Sequence, residues 1–271
     1  MPTRHTVTRD GTELVYWTWP GVGPPTLLLH GIGNYGRYWD LFADAVSRRL
    51  MLVAPDARGH GESGRPAAGY APANFTADAL AVLDALRIER AVVVGHSMGG
   101  AVAVSMAEQG GARVAGVAVL DTPPRNDSGV DPPTDRLIRI PLVGPALFDI
   151  TPDSIIHDRL RSAFARGFKV PGRFVSDLRQ ATFRSLAQSG IDFHDFLAAH
   201  RLDERMRATG KPVLVIYGRG DREVDPRVAS AWFVPGGRVV GVAGAGHSPQ
   251  VERPALTAGL IAGFAGPLLK R

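Results

Sequence analysis

The sequence predicts an α/β fold: a mostly parallel, twisted sheet with helices on both faces and a helical cap insertion. Three observations predict it. Short apolar runs ("TLLLHG", "MLVAPD", "AVVVGHS", "VAGVAVLD", "PVLVIYG") recur along the chain without the polar alternation of a half-exposed strand. Continuous runs of this length suit strands covered on both faces, as in a parallel sheet. Segments of helical periodicity alternate with them, the pattern of an α/β sheet. The alternation lapses between Thr122 and Gly210, where Pro and Gly interrupt helical patches.

In chain order, two alternating segments around "RDG", Thr6–Thr8 and Glu13–Trp19, read as a hairpin. "TLLLHG" is the first buried-type strand, and "YGRYWDLFADAVSRRL" a helix leading to "MLVAPD". Phe75, Ala79, Val82, Leu83 and Leu86 share one helical face, with Asn74 as the expected N-cap. "AVVVGHS" then leads into the small-residue helix "MGGAVAVSMAEQ", and "VAGVAVLD" follows. After the insertion, "PVLVIYG" and the weaker "RVVGVAGAGH" complete the sheet. The expected division is a core of residues 1–121 and 211–271 and a cap of residues 122–210.

With 271 residues, 45% of them hydrophobic and 21% charged, the chain has the composition of a globular protein that can bury a core. It has no cysteine, which excludes disulfides, thiolate nucleophiles, Fe–S clusters and cysteine-ligated zinc. No apolar stretch reaches the length of a membrane span, and the N-terminal stretch lacks a signal-peptide core, so no membrane partner and a cytoplasmic location are expected. The net charge is +5, but the arginines are scattered without a basic block, so no nucleic-acid partner is expected. No histidine–carboxylate set has metal-ligand spacing, so neither a metal nor another cofactor is expected.

Gly95-His96-Ser97-Met98-Gly99 matches G-x-S-x-G at a strand-to-helix junction, the turn that lifts a serine hydroxyl above a sheet end. A serine hydroxyl is a weak nucleophile and needs a base with its own orienting group. His247 in "VAGAGHSPQVERP" and Asp221 in "VIYGRGDREV" follow later strands, giving the order Ser…Asp…His that accompanies this turn. Asp121, at the end of "VAVLD", is a rival orienter and Asp225 a weaker one. His60 and His96 suit structural roles, and His157, His194 and His200 lie in the insertion. Backbone donors for a substrate oxyanion are expected in the turn through Ile32 and Gly33 and at Met98, which opens the helix after the serine. Asn34, Tyr35, Tyr38 and Trp39 follow the first of these turns; with His96 beside the serine, they are candidate substrate-lining residues, although core packing suits Trp39 equally. Phe148, Phe164, Phe168, Phe174, Phe183, Phe193 and Phe196 suggest an apolar or aromatic substrate group, although most suit packing within the cap.

These stretches, with "HGIG", "PDARGHGESGRP", "GHSMGG", "YGRGD" and "GAGHSPQVERP" in order and at similar spacing, resemble the α/β-hydrolase fold superfamily, in particular its small soluble serine hydrolases with a helical cap. The segment D-x-R-G-H-G-x-S, Asp56 to Ser63, is the most specific part of the likeness. The resemblance implies Ser97 as nucleophile, Asp221 as acid, His247 as base, and the amides of Ile32 and Met98 as oxyanion donors. Epoxide hydrolases and haloalkane dehalogenases of this fold place an aspartate where Ser97 stands, and proline iminopeptidases usually carry a tryptophan where Met98 stands. Acyl transfer on a small-molecule substrate remains, with a carboxylic ester as the leading expectation. Lactonase, thioesterase, C–C bond hydrolase and perhydrolase chemistry are alternatives. A ligand-binding or rearrangement member of the fold is the non-hydrolytic one, and a homo-oligomer is left open.

Overall fold

The computed structural model describes residues 1–46, 48–126 and 143–269. Its eight strands are β1 (Thr3–Arg9), β2 (Thr12–Trp19), β3 (Pro25–Leu29), β4 (Met51–Pro55), β5 (Ala91–His96), β6 (Val114–Leu120), β7 (Val213–Gly218) and β8 (Arg238–Val242). They form one sheet in the order β1-β2-β4-β3-β5-β6-β7-β8. β1 and β2 are the antiparallel hairpin, and β2 meets β4 antiparallel. All further pairings are parallel.

The continuous apolar runs have a simple cause. Side chains alternate across the pleat, so a strand covered on both faces needs apolar residues at every position. Leu27, Val93, Val117, Val119 and Val215 point into one core layer, against Phe75, Val82 and Leu83 of α2 (Pro72–Ala85) and Val102, Val104 and Met106 of α3 (Met98–Gln109). Their neighbours Leu28, Val94, Ala118, Leu120 and Ile216 point into a second layer, against Phe42 and Val46 of α1 (Asp40–Val46) and Ile261 of α11 (Pro254–Leu268). Fully burying one such Val or Leu side chain stabilises by about 1.5–3 kcal/mol, so both layers hold the strands firmly.

Asn74 is not the cap of α2. The helix starts three residues earlier, at Pro72, with Ala71 as N-cap and no capping side chain. Proline at the first helical position has no amide to leave unpaired, and its fixed φ suits a helix start. Trp39 takes the core-packing alternative. It lies in a 3-10 turn, Gly36–Trp39, fully buried in the second layer with its ring edge-on to Phe42 at 5.5 Å. It is a packing residue, not a pocket wall. Trp39→Ala is therefore expected to cost about 3–5 kcal/mol of stability, measured by denaturant unfolding, with Trp39→Phe recovering most of it.

Between β6 and β7, the described part of the insertion forms α4 (Val143–Ile150), α5 (Asp153–Ala163), α6 (Arg173–Arg179), α7 (Phe183–Ala199) and α8 (Leu202–Thr209). The "NDSGVDPP" part of the predicted loop lies largely outside the described residues. α7 starts with a reciprocal capping box between Thr182 and Ser185, and α8 ends at Gly210 in the left-handed conformation. Phe164, Phe174 and Phe193 are buried, and Phe164 stacks on Phe168 at 5.3 Å. A small apolar cluster joins Phe164, Val170 and Phe174, from the segment between β6 and β7, to Tyr38 and Val251.

Candidate active site

Because β3, β5, β6, β7 and β8 run parallel, their C-terminal ends share one edge of the sheet. His30–Gly31, Ser97, Asp121, Asp221 and His247 all follow those ends. The chain goes from β3 outward to β4, then returns to β5 on the other side of β3. That reversal opens the crevice in which such sheets bind ligands.

Ser97 sits between β5 and α3 with φ 54° and ψ −121°, a conformation that L side chains avoid at a cost of about 1–3 kcal/mol. The glycines around it make the turn sterically feasible. A Cβ on Gly95 would overlap the Gly99 carbonyl, and one on Gly99 would overlap that of Leu29. The turn is held by Ser97 N–H donating to Leu120 O at 2.9 Å and by Thr122 Oγ1 donating to Ser97 O at 2.9 Å. Met98 opens α3, so its amide has no intrahelical acceptor and carries the positive end of the helix dipole.

The turn after β3 lies against the serine: a Cβ on Gly31 would sit 3.1 Å from Ser97 Cβ. Asn34 N–H closes this turn on Gly31 O at 3.2 Å, and Gly33 takes a φ of +76° within it. His30 anchors the turn from below. Its Nδ1 donates to Gly31 O at 2.8 Å, and its Nε2 accepts from Ala57 N–H at 2.9 Å. Burial, with His60 adjacent, lowers its pKa to about 3, so the ring is neutral and both contacts persist.

His247 Nδ1 donates to Asp221 Oδ2 at 2.8 Å. The other Asp221 oxygen accepts from Glu223 N–H at 2.8 Å and Val224 N–H at 3.1 Å, which fixes the carboxylate plane. Burial alone would pull the His247 pKa down, but the charge and hydrogen bond of Asp221 outweigh it and raise the pKa above its ordinary value. For Asp221, burial pushes up while His247 and the two amides pull down more strongly, leaving its pKa lowered. Between the two candidate acids, the one bonded to the imidazole is Asp221. Asp225 instead caps the short helix α9 (Pro226–Ala229) and pairs with Arg227.

His96 links the serine turn to the histidine loop. Its Nε2 donates to His247 O at 2.6 Å, and the two rings lie 5.0 Å apart. It is buried, and burial lowers its pKa to about 3. His96 is thus a neutral structural link and not an exposed lining residue. Tyr35 is likewise buried, while Asn34 stays half-buried at the turn. Tyr38 stacks on His96 and touches Phe174, and its hydroxyl meets Ser248 Oγ at 2.5 Å.

One contributor was not singled out from the sequence. Glu252, at the end of α10 (Pro249–Glu252), accepts from Gly246 N–H at 2.8 Å and Ser248 N–H at 3.2 Å, on either side of His247. Its second oxygen accepts from Ala165 N–H of the insertion at 2.7 Å, and His247 N–H donates to Ala163 O at 2.7 Å. The histidine loop is therefore clamped between α10 and the end of α5. An amide at position 252 would turn an NH2 group toward N–H donors. Glu252→Gln is expected to lower kcat by about 10–100-fold through misplacement of His247, with KM changed less, in steady-state kinetics.

Among the described residues, Asp121, Asp221 and His247 form a set whose ligand atoms lie within 4.8 Å of one another, close enough to hold a cation. Asp221 Oδ2 and His247 Nδ1 already engage each other, so the set is joined by a proton-mediated contact at its centre. No helix among the described residues is long and apolar enough to cross a membrane.

Comparison with known proteins agrees with this architecture. A 2-hydroxymuconate semialdehyde hydrolase of Pseudomonas putida is 31% identical over 263 residues, covering 90% of this chain and 88% of that protein. A non-heme haloperoxidase of Rhodococcus erythropolis is 30% identical over 234 residues, covering 79% and 81% respectively. An N-acyl homoserine lactonase, solved in complex with N-butanoyl homoserine, shares the fold with a TM-score of 0.82 at 20% identity, covering 99% of this chain and 98% of that one. The family model spans residues 26–260, from the start of β3 into α11 and through every strand end that carries a candidate residue, and by that match the chain belongs to the alpha/beta hydrolase family.

Proposed function

We propose that this protein is a serine hydrolase that cleaves carboxylic esters of small molecules through an acyl-enzyme. Ser97 attacks the ester carbonyl while His247 takes its proton through Nε2. Asp221 holds the imidazole in the tautomer with its proton on Nδ1 and stabilises the imidazolium that forms. The amides of Ile32 and Met98 receive the developing oxyanion, and the positive end of α3 adds to that stabilisation. The protonated His247 then gives its proton to the leaving alkoxide. Water attacks the acyl-enzyme by the same route, and Ser97 is restored. The hydrogen-bonded His247–Asp221 pair on the same sheet edge as the strained Ser97 turn carries this reading.

In the same reading, residues 1–121 and 211–271 form the catalytic core and residues 122–210 the cap that selects substrate. Support comes from the contacts over the oxyanion turn. The closest neighbours of Gly33 beyond its own turn are Leu178 and Leu186, from α6 and α7, and Ile32 approaches Gly190 of α7. Apolar cap side chains over the reacting carbonyl suit an apolar acyl group. The test is a panel of aryl and alkyl esters, acyl homoserine lactones and thioesters, assayed with wild type and Ser97→Ala. Ester or lactone turnover that vanishes in the variant supports the proposal, and turnover that persists overturns it.

A second reading is C–C bond hydrolysis, favoured by the extent of the likeness to the 2-hydroxymuconate semialdehyde hydrolase. A vinylogous diketone in the same panel separates the two: its turnover with no turnover of simple esters would select the second reading.

A further inference from the structure

Asp121 is a buried titratable group that the proposed reaction does not use. It is 1% exposed, follows β6 with a φ of +45°, and shares a buried cluster with the histidine–carboxylate pair. Its Oδ1 accepts from Gly218 N–H at 2.8 Å, and its own N–H donates to Ile216 O at 3.0 Å. Its Oδ2 is fully buried, and no donor among the described residues reaches it. One carboxylate oxygen of Asp121 lies within 4.8 Å of an Asp221 oxygen and of a His247 ring nitrogen. Two ionised carboxylates in that position would repel each other at low dielectric. A proton on one of them turns the same contact into a charge-assisted hydrogen bond.

The proton's place follows from the other contacts. Asp221 uses both oxygens as acceptors, from His247 on one side and from two amides on the other, so it is the ionised partner. Asp121 has one amide donor and an oxygen without one. Asp221 from the β7 loop and His247 from the β8 loop lie beside Asp121, and the charge of Glu252 from α10 also acts on it. Burial first, and then the Asp221 charge, push its pKa well above the usual carboxylate range.

We infer that Asp121 is a protonated carboxylic acid at neutral pH, that it donates a hydrogen bond to Asp221, and that it moderates the pull of Asp221 on His247. It is a positioning residue, acting through Asp221, and this role rests on the triad proposed above. A donor on Asp221 occupies part of its charge, so His247 stays a neutral base at a lower pH than Asp221 alone would allow. The buried trio also carries one negative charge instead of two, which becomes zero when the imidazolium forms.

The test follows His247 directly by NMR titration of its labelled imidazole in wild type, Asp121→Asn and Asp121→Val, a readout that needs no turnover. Asparagine keeps a neutral donor for Asp221 and an acceptor for Gly218 N–H, so the His247 midpoint is expected to hold. Valine removes the donor, and the midpoint is expected to rise by about half a pH unit. An ionised Asp121 gives the opposite sign, because either substitution would then remove a negative charge and lower the midpoint. Should the valine variant not fold, the infrared difference between wild type and Asp121→Asn at pH 7 still decides. The carbonyl stretch of a protonated carboxylic acid in wild type alone supports the inference. Its absence, a lowered midpoint in either variant, or an unmoved midpoint in a folded valine variant overturns it. Activity lost in Ser97→Ala tests the hydrolase reading separately, and neither result depends on the other.

Discussion

Ser97→Ala is expected to lower kcat for ester hydrolysis by about 10⁶-fold while leaving KM within a few-fold. Removing the nucleophile of such a unit costs roughly as much as removing every member, because the proton transfer and the attack are one concerted task. A residual acceleration of about 10³–10⁴ over water should remain from the oxyanion donors and from binding. The folded structure has no reason to suffer. Ser97 φ is strained, and its turn is held by backbone contacts and by Thr122, none of which uses the serine hydroxyl. Steady-state kinetics with a matched thermal melt checks both halves. Loss of rate together with loss of folding would leave the nucleophile assignment unsupported, whereas loss of rate alone supports it.

Asp221→Asn is expected to lower kcat by about 10⁴-fold with the fold intact. The amide can present its NH2 group to His247, which favours the wrong tautomer, with the proton on Nε2 and no lone pair for the serine. The pH dependence gives an independent check. In the proposed mechanism His247 must be neutral to accept the serine proton, and Asp221 raises its pKa above the usual histidine value. The rate should therefore fall as pH drops through that raised value. Without the Asp221 charge, burial dominates and the histidine pKa falls, so the acid limb of the residual activity moves to lower pH. The same linkage acts on stability. A histidine whose folded pKa is raised contributes stability below its unfolded value, about 6.5, and loses that contribution as pH rises through the folded value. An asparagine variant with near-normal rate would reassign the orienting role to another carboxylate.

Much of this architecture is legible in the sequence for a definite physical reason. β5 and β6 are apolar at nearly every position because both of their faces meet helices, and that demand leaves an unbroken run in the sequence. The strained turn at Ser97 is legible because its neighbours cannot carry a Cβ. The choice between Asp121 and Asp221 was not legible. Both follow buried strands, and only the paths of the β7 and β8 loops decide which carboxylate meets the imidazole. For Trp39 and His96 the sequence leaves a packing role and a lining role open, because an aromatic or imidazole ring beside a turn gives no sequence sign of facing inward. The start of α2 was misplaced because Pro72 opens the helix without a capping side chain. Glu252 was not singled out for a different reason. Its partners are backbone amides at 165, 246 and 248, which leave no side-chain pattern to recognise.

The most direct measurement is covalent labelling with an alkyl fluorophosphonate, followed by peptide mapping, in wild type, Ser97→Ala and His247→Ala. A serine made reactive by its imidazole should take one adduct, at Ser97, rapidly in wild type, much more slowly without His247, and not at all in the alanine variant. An enzyme that turns over esters yet stays unlabelled, or is labelled at another residue, would contradict the account.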